Sequence, residues 1–427
     1  MKLKQKMRKL LSLDYFAFYL LLFSLPFGKS FFVPILFGWL CVVFLSYFIK
    51  RDYSFNWFKG LLILPVIFYL LQLIGLITSK NFSGGLFDMQ LKLSLILLPI
   101  LYPTQRESYR DNKRNFLVTF VLGCITATIY YFGYAIYRSY EFVNGIWVFN
   151  PTPKYGWNNY FLSTEFSHLI HPSYLALYLL AALLIVGFEL RRWKKIKSIV
   201  KIVTIFGTLL LITSIILLQS RAGILGFGLL TFVWLLYLVF SKRRYILGVG
   251  VFLVLVILTI LVFTKFNRIS NTATSLENTA DSGLNNQSKE DATAIRFWIW
   301  KSAFSAIQEH PIWGGGTGDV RDELKKQYII RGMKSSAFYR HNAHNQYLET
   351  WLGTGIFGLL ALLAMLFVPL WIGLKRRDWL LVGFLGLCSM NFMFESMLNS
   401  IAGVGFFAIF YTILVSNLAV NNAKPLS

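Results

Sequence analysis

Two arginines and a histidine carry the chemistry that this sequence suggests. Arg221 stands in LLQSRAGILGF, between two apolar runs. A guanidinium is planar and permanently charged, and it binds phosphate oxygens bidentately. At membrane depth such a charge is expensive, so it is paired or faces a water-filled cavity; an ion pair between helices, or snorkelling to the interface, is the plainer use. Arg296 precedes Trp300 by four residues in ATAIRFWIWKSAFSAIQE, which puts both on one helix face. A solvated charge beside a core tryptophan is its plainer reading. His344 lies in HNAHNQYLE, just before an apolar run. An imidazole, with an unperturbed pKa of about 6.5, suits proton transfer near neutrality, although a boundary histidine is also a common packing residue. Ser220, His341, Asn345 and Glu349 are candidate supporting groups, and Glu349 and Glu395 are placed to orient a histidine or to pair with an arginine at a helix end. Gly314, Gly315, Gly316 and Gly318 in PIWGGGTGDV fit neither phosphate-loop nor dinucleotide spacing, so a tight turn is expected there.

The elements that must hold these residues are membrane helices. Hydrophobic residues make up 56% of the 427, and the mean hydropathy is +0.58, which places the chain in the membrane class. At roughly 20 apolar residues per span, about twelve spans are expected: near 12–28, 31–49, 58–78, 90–102, 115–137, 172–189, 202–219, 224–240, 245–263, 347–373, 379–396 and 400–418. The fourth is short, and the first ends at Pro26. Lys2, Lys4, Lys6, Arg8 and Lys9 precede the first run, but no small-residue cleavage site follows it, so an uncleaved span is expected. Cys41, Cys124 and Cys388 all fall inside spans, which predicts no disulfide and no structural metal.

The formal net charge of +23 would suggest nucleic acid for a soluble protein, but its placement explains orientation instead. Lysines and arginines concentrate at the N-terminus, at 50–59, in RRWKK, in SKRR and at 375–377, all on one side of the predicted spans. Both termini are therefore expected in the cytoplasm, with no nucleic-acid partner. The two longest outside loops are then 138–171 and 264–346. The second begins with SNTATSLENTADSGLNNQSKED, a polar stretch without aromatics that reads as a tether. Asp291 is the expected N-cap of an amphipathic helix over 291–309, with Phe297, Trp300, Phe304 and Ile307 on one stripe, fit to lie on a membrane surface and stopped by Pro311. The expected fold is all-α: a polytopic transmembrane helical bundle with spans in 1–263 and 347–427 and one large, partly helical outside loop, 264–346. No midplane string of acids appears, which argues against a proton-coupled transporter.

SRAG between two spans, then RFWIWKSAFSAIQEHPIWGGGTGD, then AHNQYLETWLGTGIFG entering the next span, resembles the O-antigen ligase and polymerase superfamily; the likeness covers about 205–365, and HPSYLALY at 171–178 resembles it too. The resemblance implies metal-independent transfer of a glycan from an undecaprenyl-pyrophosphate donor to an acceptor hydroxyl at the periplasmic face of the inner membrane, with no cofactor. Arg221 and Arg296 match the arginines assigned to the donor pyrophosphate, and His344 the histidine assigned as general base. The acceptor of the ligase branch, favoured by the single large loop, is a lipid A core sugar. A polymerase uses a second lipid-linked repeat, and a protein oligosaccharyltransferase uses a Ser or Thr hydroxyl. Trp147, Tyr155 and Trp157 are candidates for stacking on sugar rings, although aromatic anchoring at the membrane surface is the commoner use. A flippase or solute transporter that holds an anionic headgroup on Arg221 is the reading from another class.

Overall fold

The computed structural model describes residues 2–50, 60–102, 109, 111–152, 159–189, 197–242, 250, 292–416 and 418. The expected ninth span at 245–263, the tether, the Asp291 cap, Tyr155 and Trp157 lie outside these residues. Within them the chain is helical apart from a two-stranded antiparallel hairpin, Tyr140–Val143 with Ile146–Phe149. Seven helices are long and apolar enough to cross a membrane, and four shorter apolar helices accompany them. The fourth expected span starts earlier than its hydropathy suggested. Helices Phe82–Lys92 and Ser94–Leu101 run on as one apolar stretch, because Asn81 accepts the Gly84 N–H and starts the helix eight residues upstream.

Two compact units divide the chain. The first comprises 1–63, 97–227 and 401–427. At its core the Tyr109 hydroxyl donates to Asp14 (2.7 Å) and accepts from the Trp39 indole (3.1 Å), with Phe18, Tyr102 and Phe116 packed round the ring. A carboxylate away from water requires such partners. Helix Pro172–Glu189, which carries PSYLALY, is apolar all round and buried along most of its length. Its Tyr178 hydroxyl donates to the Ala402 carbonyl (2.7 Å). Helix Ser198–Leu217 instead leaves Ile202, Phe206 and Leu209 exposed, as a lipid-facing helix does.

The second unit comprises 64–96 and 228–400. Helix Ala292–Glu309 packs its Ile299, Ala303, Ala306 and Ile307 face against helices Val320–Ile330 and Gln346–Lys375. The expected stripe is divided between two surroundings: Ile307 is buried and Trp300 partly so, whereas Phe297 and Phe304 are 52% and 49% exposed. Two neighbouring helices select the face with small residues, where backbones approach closely, over the face with the largest rings. The glycine-rich segment is a turn, as expected. Gly314 and Gly316 take positive φ, and the Gly315 and Gly316 amides donate to the carbonyls of Leu352 and Gly353. Gly355 kinks the helix beside them at φ 66°. The amides of the turn are thus used in packing; the Thr317 amide, for example, bonds the Gly75 carbonyl.

Candidate functional site

His344 is placed by the asparagines that flank it. The Asn342 side chain accepts the His344 N–H (3.0 Å), and Asn345 caps the following helix by accepting the N–H groups of Tyr347 and Leu348. Asn at these positions draws the chain out of the helical path, and His344 takes the left-handed conformation, φ 44°. One residue before it, the Ala343 N–H donates to the buried carboxylate of Glu349 (2.7 Å). Glu349 also accepts from the Asn399 amide (2.7 Å) and the Ser396 hydroxyl (3.4 Å), so it fastens the histidine loop to the turn Met397–Asn399. Glu349 and Lys92 line one small polar cavity with Gln72 and Gln346, and the Lys92 ammonium donates to Gln72 (3.1 Å).

Glu395 is the hub of the site. It ends helix Trp379–Phe394 in an extended conformation and is buried. One carboxylate oxygen accepts from the Arg296 guanidinium at 2.9 Å; the other lies 3.4 Å from Nδ1 of His344. The carboxylate favours the tautomer with hydrogen on Nδ1, which leaves the Nε2 lone pair free to take a proton. The sequence named Glu395 only as one of two acids at span ends; its place after the last helical turn was the signal for more.

His341 does not share that arrangement. Its ring lies 5.9 Å from that of His344, and its buried Nδ1 has no hydrogen-bond partner among the described residues. Burial first, and then the neighbouring His344, hold its pKa below the ordinary histidine value, so it is a neutral imidazole at pH 7.

Arg221 belongs to the first unit and is the first residue of helix Arg221–Lys242. Three residues separate this helix from Ser198–Leu217, which is the near-absence of loop that the sequence indicated. Ser220 supports the turn, its hydroxyl accepting the Gly223 N–H (3.2 Å).

An oriented base, a buried carboxylate and a guanidinium with N–H groups to spare can deprotonate a hydroxyl beside an anionic leaving group. The sequence pattern of the O-antigen ligase family matches residues 206–363. The chain carries an O-antigen ligase domain. The superfamily likeness of SRAG, the RFWIW helix and AHNQYLE therefore holds. A Haemophilus influenzae protein (strain ATCC 51907 / DSM 11121 / KW20 / Rd) described as uncharacterized is 26% identical over 179 residues, which span 41% of this chain and 45% of that one. The O-antigen ligase domain includes Arg221, Arg296, His341, His344 and Glu349, whereas Glu395 lies beyond its end. The apolar helices make this a membrane protein.

Proposed function

We propose that this protein transfers a glycan from undecaprenyl pyrophosphate to a hydroxyl of a lipid A core sugar, at the periplasmic face of the inner membrane. The acceptor oxygen forms its bond to the anomeric carbon as the bond from that carbon to the pyrophosphate oxygen breaks. The hydroxyl proton passes to Nε2 of His344, and pyrophosphate leaves with the bonding electron pair. A single displacement of this kind inverts the anomeric centre. Arg296 holds the pyrophosphate, whose growing charge a fixed guanidinium stabilises in the role that a divalent cation plays elsewhere, and the family resemblance assigns Arg221 to the same group. Glu395 orients both partners at once. Its bond to Arg296 takes one guanidinium N–H and leaves other N–H groups for phosphate oxygens.

The observation that carries this reading is the Glu395 carboxylate shared by His344 and Arg296. The test is purified protein in detergent with lipid-pyrophosphate glycan, core lipopolysaccharide acceptor and a chelator. Covalent product that disappears in His344→Ala is the expected result. Undiminished turnover in that variant removes the base, and movement of the lipid without covalent transfer removes the enzyme. A deletion strain distinguishes the branches on a lipopolysaccharide gel: bare core with accumulated lipid-linked polymer marks a ligase, and core bearing one repeat marks a polymerase.

A further inference from the structure

Phe338 and Tyr339 are 81% and 68% exposed, yet the backbone that carries them is firmly held. They end the short helix Lys334–Tyr339, which Arg340 terminates in the left-handed conformation. The Arg340 guanidinium bonds the Asp322 carboxylate, the His341 N–H donates to the Ser336 carbonyl (3.2 Å), and the buried Tyr328 hydroxyl donates to the His341 carbonyl (3.2 Å). Apolar rings on a held backbone, left uncovered by the rest of the chain, mark a surface that has a partner.

Their geometry relative to the base indicates which partner. Phe338 meets Tyr339 edge-on at 5.1 Å, Tyr339 lies nearly parallel to His341 (5.9 Å, 13°), and His341 meets His344 at 5.9 Å. A ladder of rings thus leads from the exposed surface to the imidazole whose Nδ1 faces Glu395. The tyrosine face turned away from His341 is an apolar plate edged by its own phenol hydroxyl, which donates to and accepts from hydroxyls. A pyranose has the matching form, with an apolar C–H face and a hydroxyl rim.

We propose that Tyr339 and Phe338 form an outer acceptor subsite, stacking on one sugar ring of the acceptor glycan while the hydroxyl of a sugar further along that glycan reaches Nε2 of His344. The subsite rests on His344 acting as the base in the reading above. Neutral His341 is its inner wall, a flat spacer that adds no charge beside the base.

The test measures acceptor and donor kinetics separately on the full-length protein, with delipidated core oligosaccharide as the acceptor probe. Loss of one aromatic stacking contact corresponds to about tenfold in affinity. In Tyr339→Ala the acceptor KM therefore rises about tenfold, while the donor KM and the melting temperature stay at the parent values; Tyr339→Trp restores the parent acceptor KM. An unchanged acceptor KM, or an equal rise in the donor KM as expected if the rings instead engage lipid, overturns the subsite. Saturation-transfer NMR of the same oligosaccharide on His344→Ala protein separates this inference from the function it rests on. Binding that survives His344→Ala and is lost when Tyr339→Ala is added supports the subsite even where no turnover is measured, and binding that survives both changes overturns it.

Discussion

His344 adopts a backbone conformation that is costly for any residue with a Cβ. Asn342 and Asn345 supply the local hydrogen bonds that offset the cost, and Glu349 anchors the residue between them. Glu395 then gives the imidazole a direction. Replacing the carboxylate by an amide keeps the size but removes the charge shared with Arg296. We expect Glu395→Gln to lower kcat by about 100-fold or more, the usual worth of the general base that it orients, with the fold intact by circular dichroism. An unaltered kcat would leave the hub without a catalytic role. Arg296→Lys is expected to raise the donor KM, because a point charge cannot serve a carboxylate and a phosphate from one planar fork; donor titration checks this.

At the scale of elements, the kink at Gly355 joins the glycine turn to the helix that His344 precedes. A Cβ on Gly355 would meet the Ile312 carbonyl oxygen at 2.0 Å, in a conformation that side chains rarely adopt. Gly355→Ala is therefore expected to cost roughly 2 kcal/mol or more, read as a lower melting temperature in detergent. The histidine loop also carries a pH dependence. Burial, reinforced by His344, keeps the folded pKa of His341 below the ordinary value of about 6.5. The unfolded chain consequently takes up this proton first as pH falls. The contribution of His341 to stability is complete above about pH 6.5 and is lost through the window beneath it. His341→Phe should narrow the difference in melting temperature between pH 7.5 and 5.5. His168, whose pKa burial and then Arg138 also lower, retains part of that difference.

For the whole molecule, orientation is the property that charge placement predicts. The clusters at 190–201 and 375–377 are expected to hold those connections and both termini in the cytoplasm. An alkaline phosphatase fusion after Ser427 is then inactive, whereas one after Lys334 is active; the opposite pattern would put His344 on the wrong face for a lipid-linked donor. The helices themselves were legible, since an apolar run long enough to span needs no partner to be recognised. Where several helices compete for one face, legibility ended. Periodicity put Phe297, Trp300, Phe304 and Ile307 on one stripe but did not say that two helices pack on the Ala303 and Ala306 face, because periodicity does not name neighbours.

The sequence by itself determined the membrane class, the arginine in the tight connection between two helices, the glycine turn, and the motifs that place Arg221, Arg296 and His344 in an O-antigen ligase domain. These are matters of composition and short spacing. Only the tertiary structure decided that Glu395 joins His344 across 51 residues and Arg296 across 99, that Glu349 fastens the histidine loop, and that His341 stands aside. Hydrogen bonds over such separations depend on how packed helices bring their ends together, and no local pattern encodes that. Phe338 and Tyr339 belong to the same class: only the fold shows that two aromatics on a short helix end a ladder of rings leading to His344.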